Sequence, residues 1–482
     1  MIDFEALLDA AQSGSEQDRA ELQAILKSAS QDTSGVKIAN PALLSSSVGV
    51  LARLAAFGTT EVQTAAHRAA WEVAQALGIY PASIDALYRQ FACNEVAGLT
   101  VPAMNMRAIA FQSARGVFRA MRDLSVGAAI FELSRGEIGF TGQRPHEYAT
   151  AILCAAIAEG HAGPVFLQGD HFQVSATRFA QDSEAETEAV EALIAEAISA
   201  GFFNIDIDTS TLVDLSQAEI DAQQHPNYKL SARLANFTRK AEPDGVTISL
   251  GGEIGEVGES NSTVAEVNAY LNGFATCTPD NQPGLTKLSI QSGTRHGGNV
   301  QADGSFGDMP VDFDLIEDLS AACRDPHGLG GCVQHGASML TLEKISKLPA
   351  AGCIEVHLAA AFLNAVYDNL PDELVQRADV WAKEHFSDEW KSDWSEAQFL
   401  HHARRYPIGP FKQDWWQATA CHDAVRNAVY RSAVAYFKAL RVENTSGLIR
   451  TAITQKPVQW TAPVLTESTG RTDESAIQDL AS

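Results

Sequence analysis

The feature that most constrains the fold is a long alternation of short apolar runs with longer helix-patterned stretches. Strand candidates are V-G-A-A-I-F-E-L (126–133), P-V-F-L-Q-G-D (164–170), F-N-I-D-I-D (203–208) and G-V-T-I-S-L-G-G-E (245–253). L-T-K-L-S-I-Q (285–291), G-G-C-V-Q-H-G (330–336) and A-G-C-I-E-V-H-L (351–358) complete the series. Helical spacing fills the intervals, as in 145–159 and 184–200. So long a strand–helix series implies a parallel sheet. Polar residues at the strand ends favour a closed (β/α)8 TIM barrel, whose chemistry sits at the C-terminal strand ends.

Flanking the series are two regions that read as helical. Residues 1–92 form an all-helical N-terminal extension, with Val62, Ala65, Ala66, Ala69, Val73 and Ala76 at helical spacing and weak turns near 30–35 and 78–81. The barrel is assigned to 93–369. Residues 370–482 form a helical tail rich in tryptophan (Trp381, Trp390, Trp394, Trp415, Trp416), a composition that signals packing and oligomer contacts. A homo-oligomer, with the dimer as the first expectation, follows.

Composition narrows the function. The formal net charge of −25 opposes nucleic acid and anionic membranes as partners. No uncharged apolar run of about 18 residues is present, and the acidic start M-I-D-F-E does not read as a signal peptide. Seven scattered cysteines without C-x-x-C fit reduced thiols, so the expected location is the cytoplasm.

Potential metal ligands stand at four strand ends: Asp170 and His171 in Q-G-D-H-F-Q, Glu253 in G-G-E-I-G-E, His296 in T-R-H-G-G and His335 in V-Q-H-G-A-S. Three imidazoles and a carboxylate suit Zn²⁺ or another divalent ion with a position left open. Asp170 and His171 are neighbours, so in a regular strand their side chains would diverge. A bend near Gly169 is needed to bring both into one site.

These segments, in this order, resemble the class II, metal-dependent fructose-bisphosphate and tagatose-bisphosphate aldolases over about residues 99–369. V-P-A-M-N-M-R-A-I-A-F-Q is similar to the family's opening strand and helix, and I-F-E-L-S-R-G-E to its second strand. L-Q-G-D-H-F-Q, N-I-D-I-D-T-S, G-E-I-G-E-V-G, T-R-H-G-G and V-Q-H-G-A-S are similar to its later motifs. The resemblance implies a zinc-dependent lyase of carbohydrate metabolism, such as glycolysis, that cleaves and forms a ketose carbon–carbon bond through a metal-stabilised enediolate. His171, His296 and His335 would be metal ligands, with Glu253 a fourth or alternate one. Asp170 would be the acid/base, or else a partner orienting a ligand histidine. Asp208 would sit near a second, monovalent cation or orient a ligand. Asn105 and Ser134 would touch substrate, and Gly297, Gly336 and Ser338 would serve a phosphate.

The chain also departs from that pattern. After the last strand the family's asparagine–x–aspartate motif reads E-V-H-L-A-A-A-F, with His357 where asparagine would be. For the family's mobile catalytic glutamate, Glu259 is the nearest match, with Glu256 behind it. The first 90 residues have no counterpart. Half the phosphate cradle is therefore missing. The expected substrate is a singly phosphorylated ketose or a sugar acid, with Arg295 as its anion partner and Lys412 as a second basic candidate. Two alternatives stand beside the aldolase: a metal-dependent sugar or sugar-acid epimerase on the same barrel, and a non-catalytic aldolase-like subunit.

Overall fold

The computed structural model describes residues 6–7, 9, 16–32, 35–254, 260–293, 301–302, 307, 309–456 and 458–463. Eight parallel strands close into the expected barrel: β4 (Val101–Asn105), β5 (Ile130–Ser134), β6 (Gly163–Gln173), β7 (Asn204–Asp208), β8 (Ser249–Glu253), β9 (Lys287–Ile290), β10 (Cys332–Gln334) and β11 (Glu355–Leu358). Closure is made where β11 pairs with β4, Glu355 opposite Val101, and where β6 pairs with β7, Gln168 opposite Asn204. Helices follow the strands and cover the outside. The helix Ala110–Asp123, for example, buries Ala114, Val117, Phe118 and Met121 on one face, and Phe118 stacks on Phe131 of β5 at 4.8 Å.

Three strands precede the barrel, where the sequence pattern reads as helix and turn only. β1 (Ala29–Asp32) and β2 (Gly35–Ile38) form an antiparallel hairpin. β3 (Ile79–Pro81) adds in parallel to the lower half of β6, Ile79 opposite Gly163. The chain does turn at Gly78, whose φ of +73° suits glycine. The next three residues then find a sheet edge, because β7 meets β6 only from Gln168 onward. Asn204 fastens this junction: its amide donates to Ala82 O and Leu167 O, and its carbonyl accepts from Ile84 N. So short a strand carries no period of its own and exists only through this tertiary pairing.

The helix Thr60–Ala76 of the N-terminal region packs on the barrel helix Pro145–Ala158. Two buried histidines lie at that contact, with ring centroids 5.6 Å apart: His67, 2.8 Å from Thr150 Oγ1, and His146, 2.8 Å from Ser199 Oγ. In the C-terminal region the helix His422–Ala439 lies against Ala110–Asp123, and Gly116 permits the approach, since a Cβ there would stand 2.6 Å from Arg426 O. The tail tryptophans pack within the chain. Trp415 is buried edge-on to Tyr367, Trp390 stacks on Phe399, and Trp416 lies against Phe57 and Phe111. All seven cysteines are free thiols. Among the described residues no helix is long and apolar enough to cross a membrane.

Candidate metal centre and active site

The site begins with a layer of charge inside the barrel. Lys287 of β9 is wholly buried, and its ammonium donates to Gln168 Oε1 on β6 (2.8 Å), to Asp206 Oδ2 on β7 (3.0 Å) and to Glu355 on β11. Partners on three other strands can be reached only through the interior. Gly251 of β8 makes room: a Cβ there would fall 2.2 Å from Asp206 Oδ1 and 2.9 Å from Lys287 Cε. Glu355 also accepts from the Tyr88 hydroxyl and from Gln168 Nε2 (2.8 Å). Glu132 of β5 accepts from Asn105 Nδ2 (3.1 Å) and Gln168 Nε2 (3.2 Å). These residues give no strand-end motif. Their trace in the sequence is a polar residue inside an otherwise apolar run, two positions before a site residue: Gln168 before Asp170, Asp206 before Asp208, Lys287 before Ser289, Glu355 before His357. Two residues is the period of one strand face.

Above this layer three imidazoles converge. His171 Nε2 faces His335 Nδ1 at 2.9 Å, and the rings of His335 and His357 lie 4.1 Å apart. Each ring is held from behind. His171 Nδ1 meets Asp208 Oδ2 at 3.1 Å and Glu253 Oε2 at 3.0 Å, His335 Nε2 meets Ser289 Oγ at 2.9 Å, and His357 Nε2 meets Glu355 Oε1 at 2.8 Å. A carboxylate or hydroxyl behind an imidazole fixes its tautomer and aims its other nitrogen, as behind metal-ligating histidines.

Asp170 enters the site by the bend that the sequence requires. The β6–β7 register shifts between Gly169 and Phe172, and His171 takes a φ of +41°, uncommon for a side-chain-bearing residue. Gly169 is needed because the Phe172 ring folds back over it, 2.4 Å from where a Cβ would be. Asp170 Oδ1 then lies 3.0 Å from His357 Nδ1 and 3.8 Å from His171 Nε2.

Electrostatics follow from too many buried carboxylates. Burial raises Glu253 to about 7, with Asp208 adding to the rise and His171 opposing it. Burial likewise raises Asp206 to about 6 against the pull of Lys287, and lifts Glu132 well above its usual range. Burial opposes charge on His171 and His357, but the surrounding carboxylates outweigh it and hold both imidazoles well above their ordinary value. Burial would also raise Asp170, yet His171 and His357 pull it well below the usual carboxylate range. The groups thus ask for positive charge, which protons or a cation can supply.

Among the described residues, donor atoms gather in three groups within reach of one ion each: His171, Glu253 and His335; Asp170, His335 and His357; Asp206, Glu355 and His357. The last is already served by Lys287. In the second, Asp170 Oδ1 and His357 Nδ1 are buried without a directional hydrogen bond. They face one another as an ion pair, and a nitrogen and an oxygen donor so placed fit a borderline divalent ion.

The other expected site residues fall as follows. Asn105 stands beside Glu132, its Oδ1 buried without a hydrogen bond. Ser134 caps the helix Arg135–Thr141, accepting from Glu137 N. Gly336 has a φ of +67° directly after His335, and Ser338 Oγ accepts from Ala359 N. Asp208 is turned to His171, Gln173 and Ser210. Lys412 is committed to Glu147 at 2.6 Å and to Gly142 O. Glu256, Glu259, Arg295, His296 and Gly297 lie outside the described residues.

A closed barrel with polar groups converging at the ends of several strands is the architecture of barrel enzymes. The family model "Fructose-bisphosphate aldolase class-II" matches residues 89–406, and the chain belongs to that family. Among solved structures it is similar to the fructuronate-tagaturonate epimerase UxaE of Cohnella laeviribosi, complexed with one glycerol (13% identity, 86% of this chain and 90% of that one, TM-score 0.53). It is also similar to fructose-bisphosphate aldolase from Campylobacter jejuni (16%, 76% and 97%, 0.45) and to the YdjI aldolase of Escherichia coli K12 (15%, 76% and 99%, 0.43). At these identities the likeness is one of fold. No curated protein sequence matches the chain.

Proposed function

We propose that the chain is a divalent-metal-dependent lyase of the aldolase type, cleaving and forming the carbon–carbon bond beta to a ketose carbonyl. The observation that carries this reading is the convergence of His171 Nε2 and His335 Nδ1, 2.9 Å apart, beside the Asp170 carboxylate at the barrel mouth. An ion bound by His171, His335 and Glu253, with His296 from the matching motif, would draw off the negative charge that develops on the ketone oxygen. Asp170 takes the proton of the hydroxyl on the carbon being cut loose. The bonding pair passes to the ketone side, and an aldehyde departs. In condensation Asp170 returns the proton. Glu259 is assigned the proton exchanged at the carbon beside the ketone. Asp208 holds His171 in place.

The favoured substrate is a singly phosphorylated ketose or a sugar acid. Lys412 is neutralised by Glu147, and Ala359, Ala360 and Ala361 supply no polar side chain where the family motif would. Arg295 is the remaining candidate for an anionic group. A homo-oligomer and a cytoplasmic location complete the reading.

One observation favours a second reading, epimerisation by cleavage and recombination. The likeness to the epimerase spans 86% of this chain, more than the stretch 89–406. Incubation with ketose monophosphates and ketouronates separates the two: an aldolase releases an aldehyde fragment, whereas an epimerase returns only the epimer. Neither product from any of these substrates, with metal present, would refute both readings.

A further inference from the structure

The aldolase reading gives no task to Arg107, the second residue past the end of β4. The ladder fixes its place. Asn105 pairs with Glu132 of β5, so the register carried two residues further sets Arg107 opposite Ser134, and Ser134 pairs with Asp170 of β6. Neighbouring strands lie about 4.8 Å apart, which puts the Arg107 and Asp170 backbones about 10 Å from one another. An arginine side chain and a six-carbon sugar together bridge that gap.

Two contacts set the Arg107 side chain. Its Nε donates to Glu137 Oε1 at 2.5 Å, and its guanidinium lies over the Phe140 ring, 5.8 Å from the centroid. Glu137 is buried and is itself anchored, since its Oε2 accepts from Ser134 N. Gln143 Nε2 donates to Arg107 O and holds the backbone. Among the described residues the two Nη groups have no partner. They form the fork that takes a carboxylate in two parallel hydrogen bonds. Two other cations near these strand ends are spent, Arg135 on Gln173 O and Glu186, Lys412 on Glu147 and Gly142 O. Asn105, two residues before Arg107, keeps a buried Oδ1 without a hydrogen bond, an acceptor open to a sugar hydroxyl.

Charge selects the ligand. Arg107 is a single cation, with Glu137 on its Nε and Asp170 one strand beyond Ser134. Burial raises the Glu137 carboxyl, Arg107 opposes the rise and Asp170 adds to it, so these groups already lie in one another's field. A carboxylate brings one negative charge to that setting, whereas a phosphate monoester brings about 1.5–2 at neutral pH. The single charge is the better match.

We infer that Arg107 selects a sugar acid, its two Nη groups binding the terminal carboxylate of a ketouronate. This assigns to Arg107 the anionic group for which the motif offers Arg295.

The inference rests on the reading of the chain as a ketose-transforming enzyme, and the test separates the two. The metal-loaded full chain is compared with Arg107→Gln and Arg107→Lys by titration calorimetry and by turnover. The probes are fructuronate and tagaturonate, the uncharged ketoses fructose and tagatose, and fructose 6-phosphate. Arg107→Gln should raise the Kd for the preferred ketouronate about 10–100-fold, the scale of charged hydrogen bonds, and lower its preference over the uncharged ketose by a similar factor. Arg107→Lys keeps the charge without the fork and should lose part of that preference. Equal weakening of acid and uncharged sugar, as from a merely structural role, or no weakening, overturns the inference and leaves the enzyme reading standing. A loss confined to fructose 6-phosphate overturns the carboxylate assignment. Ketouronate binding that Arg107→Gln selectively abolishes, with no product from any probe, overturns the enzyme reading and leaves the inference. No binding of any probe overturns both. If Arg107→Gln fails to fold, the preference of Arg107→Lys decides.

Discussion

His357 Nε2 donates to Glu355 Oε1 across 2.8 Å, from two residues further along the same strand. The pair joins the two storeys of the barrel interior. Glu355 belongs to the charged layer around Lys287, and His357 to the ring of imidazoles above it. Burial alone would raise the Glu355 carboxyl, but Lys287 and His357 hold it at about 2, so it stays an anion that can orient the imidazole.

Lys287→Met should therefore be strongly destabilising. It strands the buried carboxylates of Asp206 and Glu355 without their cation, and breaking a buried ion pair from one side costs about 3–5 kcal/mol. Urea unfolding of the variant measures it. A loss below about 1 kcal/mol would mean that the layer is held by other groups.

Asp208→Asn keeps the size of the side chain but removes the charge behind His171 Nδ1. Removing such a partner weakens metal affinity about 10–100-fold. Zinc competition with a chromophoric chelator reads the change. Unaltered affinity would count against Asp208 as the group that orients His171.

Asp170→Asn should retain bound zinc through His171, His335 and Glu253, yet lower kcat at least about a hundredfold, the usual scale for a general acid/base. Steady-state kinetics and metal analysis of one preparation test both halves. Loss of the ion together with activity would make Asp170 a metal-holding residue first.

Acid should loosen the contact between the N-terminal helix and the barrel. Burial lowers His67 to about 4 and, with His67 adding to the effect, His146 to about 3. Both imidazoles are neutral in the fold, and their unfolded counterparts protonate near 6.5. Between those values the unfolded chain binds more protons, so stability rises with pH and falls on acidification from about 6.5 toward 4. The limit is of the order of 3 kcal/mol for each histidine. Thermal melts across this range should show the slope, and His67→Gln with His146→Gln should flatten it. An unchanged slope in the double variant would place the acid sensitivity elsewhere.

The barrel was legible because its strands are apolar runs spaced by helices, and His171 and His335 because each ends such a run beside an aspartate or a glycine. The charged layer was harder to read. Glu132, Lys287 and Glu355 each look like a blemish in an apolar run, and only closure of the barrel brings all three onto Gln168. His357 stands out in the sequence only as a departure from the family's asparagine, although its spacing from Glu355 puts both on one strand face. β3 left no signal, since three residues make no period and its partner lies 84 positions away at Gly163. The turn at Asp170–His171 was foreseeable as a need, but the bulge that provides it depends on Phe172 closing over Gly169.

The central claim is metal-dependent cleavage beside a ketone, and the most direct measurement is turnover of a substrate panel before and after chelation. The panel holds ketose monophosphates, ketouronates and fructose 1,6-bisphosphate. The account predicts that at least one singly anionic ketose or ketouronate is turned over. Activity should fall at least about a hundredfold on metal removal, return on adding Zn²⁺, and be poorest with the bisphosphate. Full activity in the metal-free protein would contradict the account. A kcat/KM near 10⁵ M⁻¹s⁻¹ for the bisphosphate, about that of an ordinary native substrate, would contradict its substrate assignment.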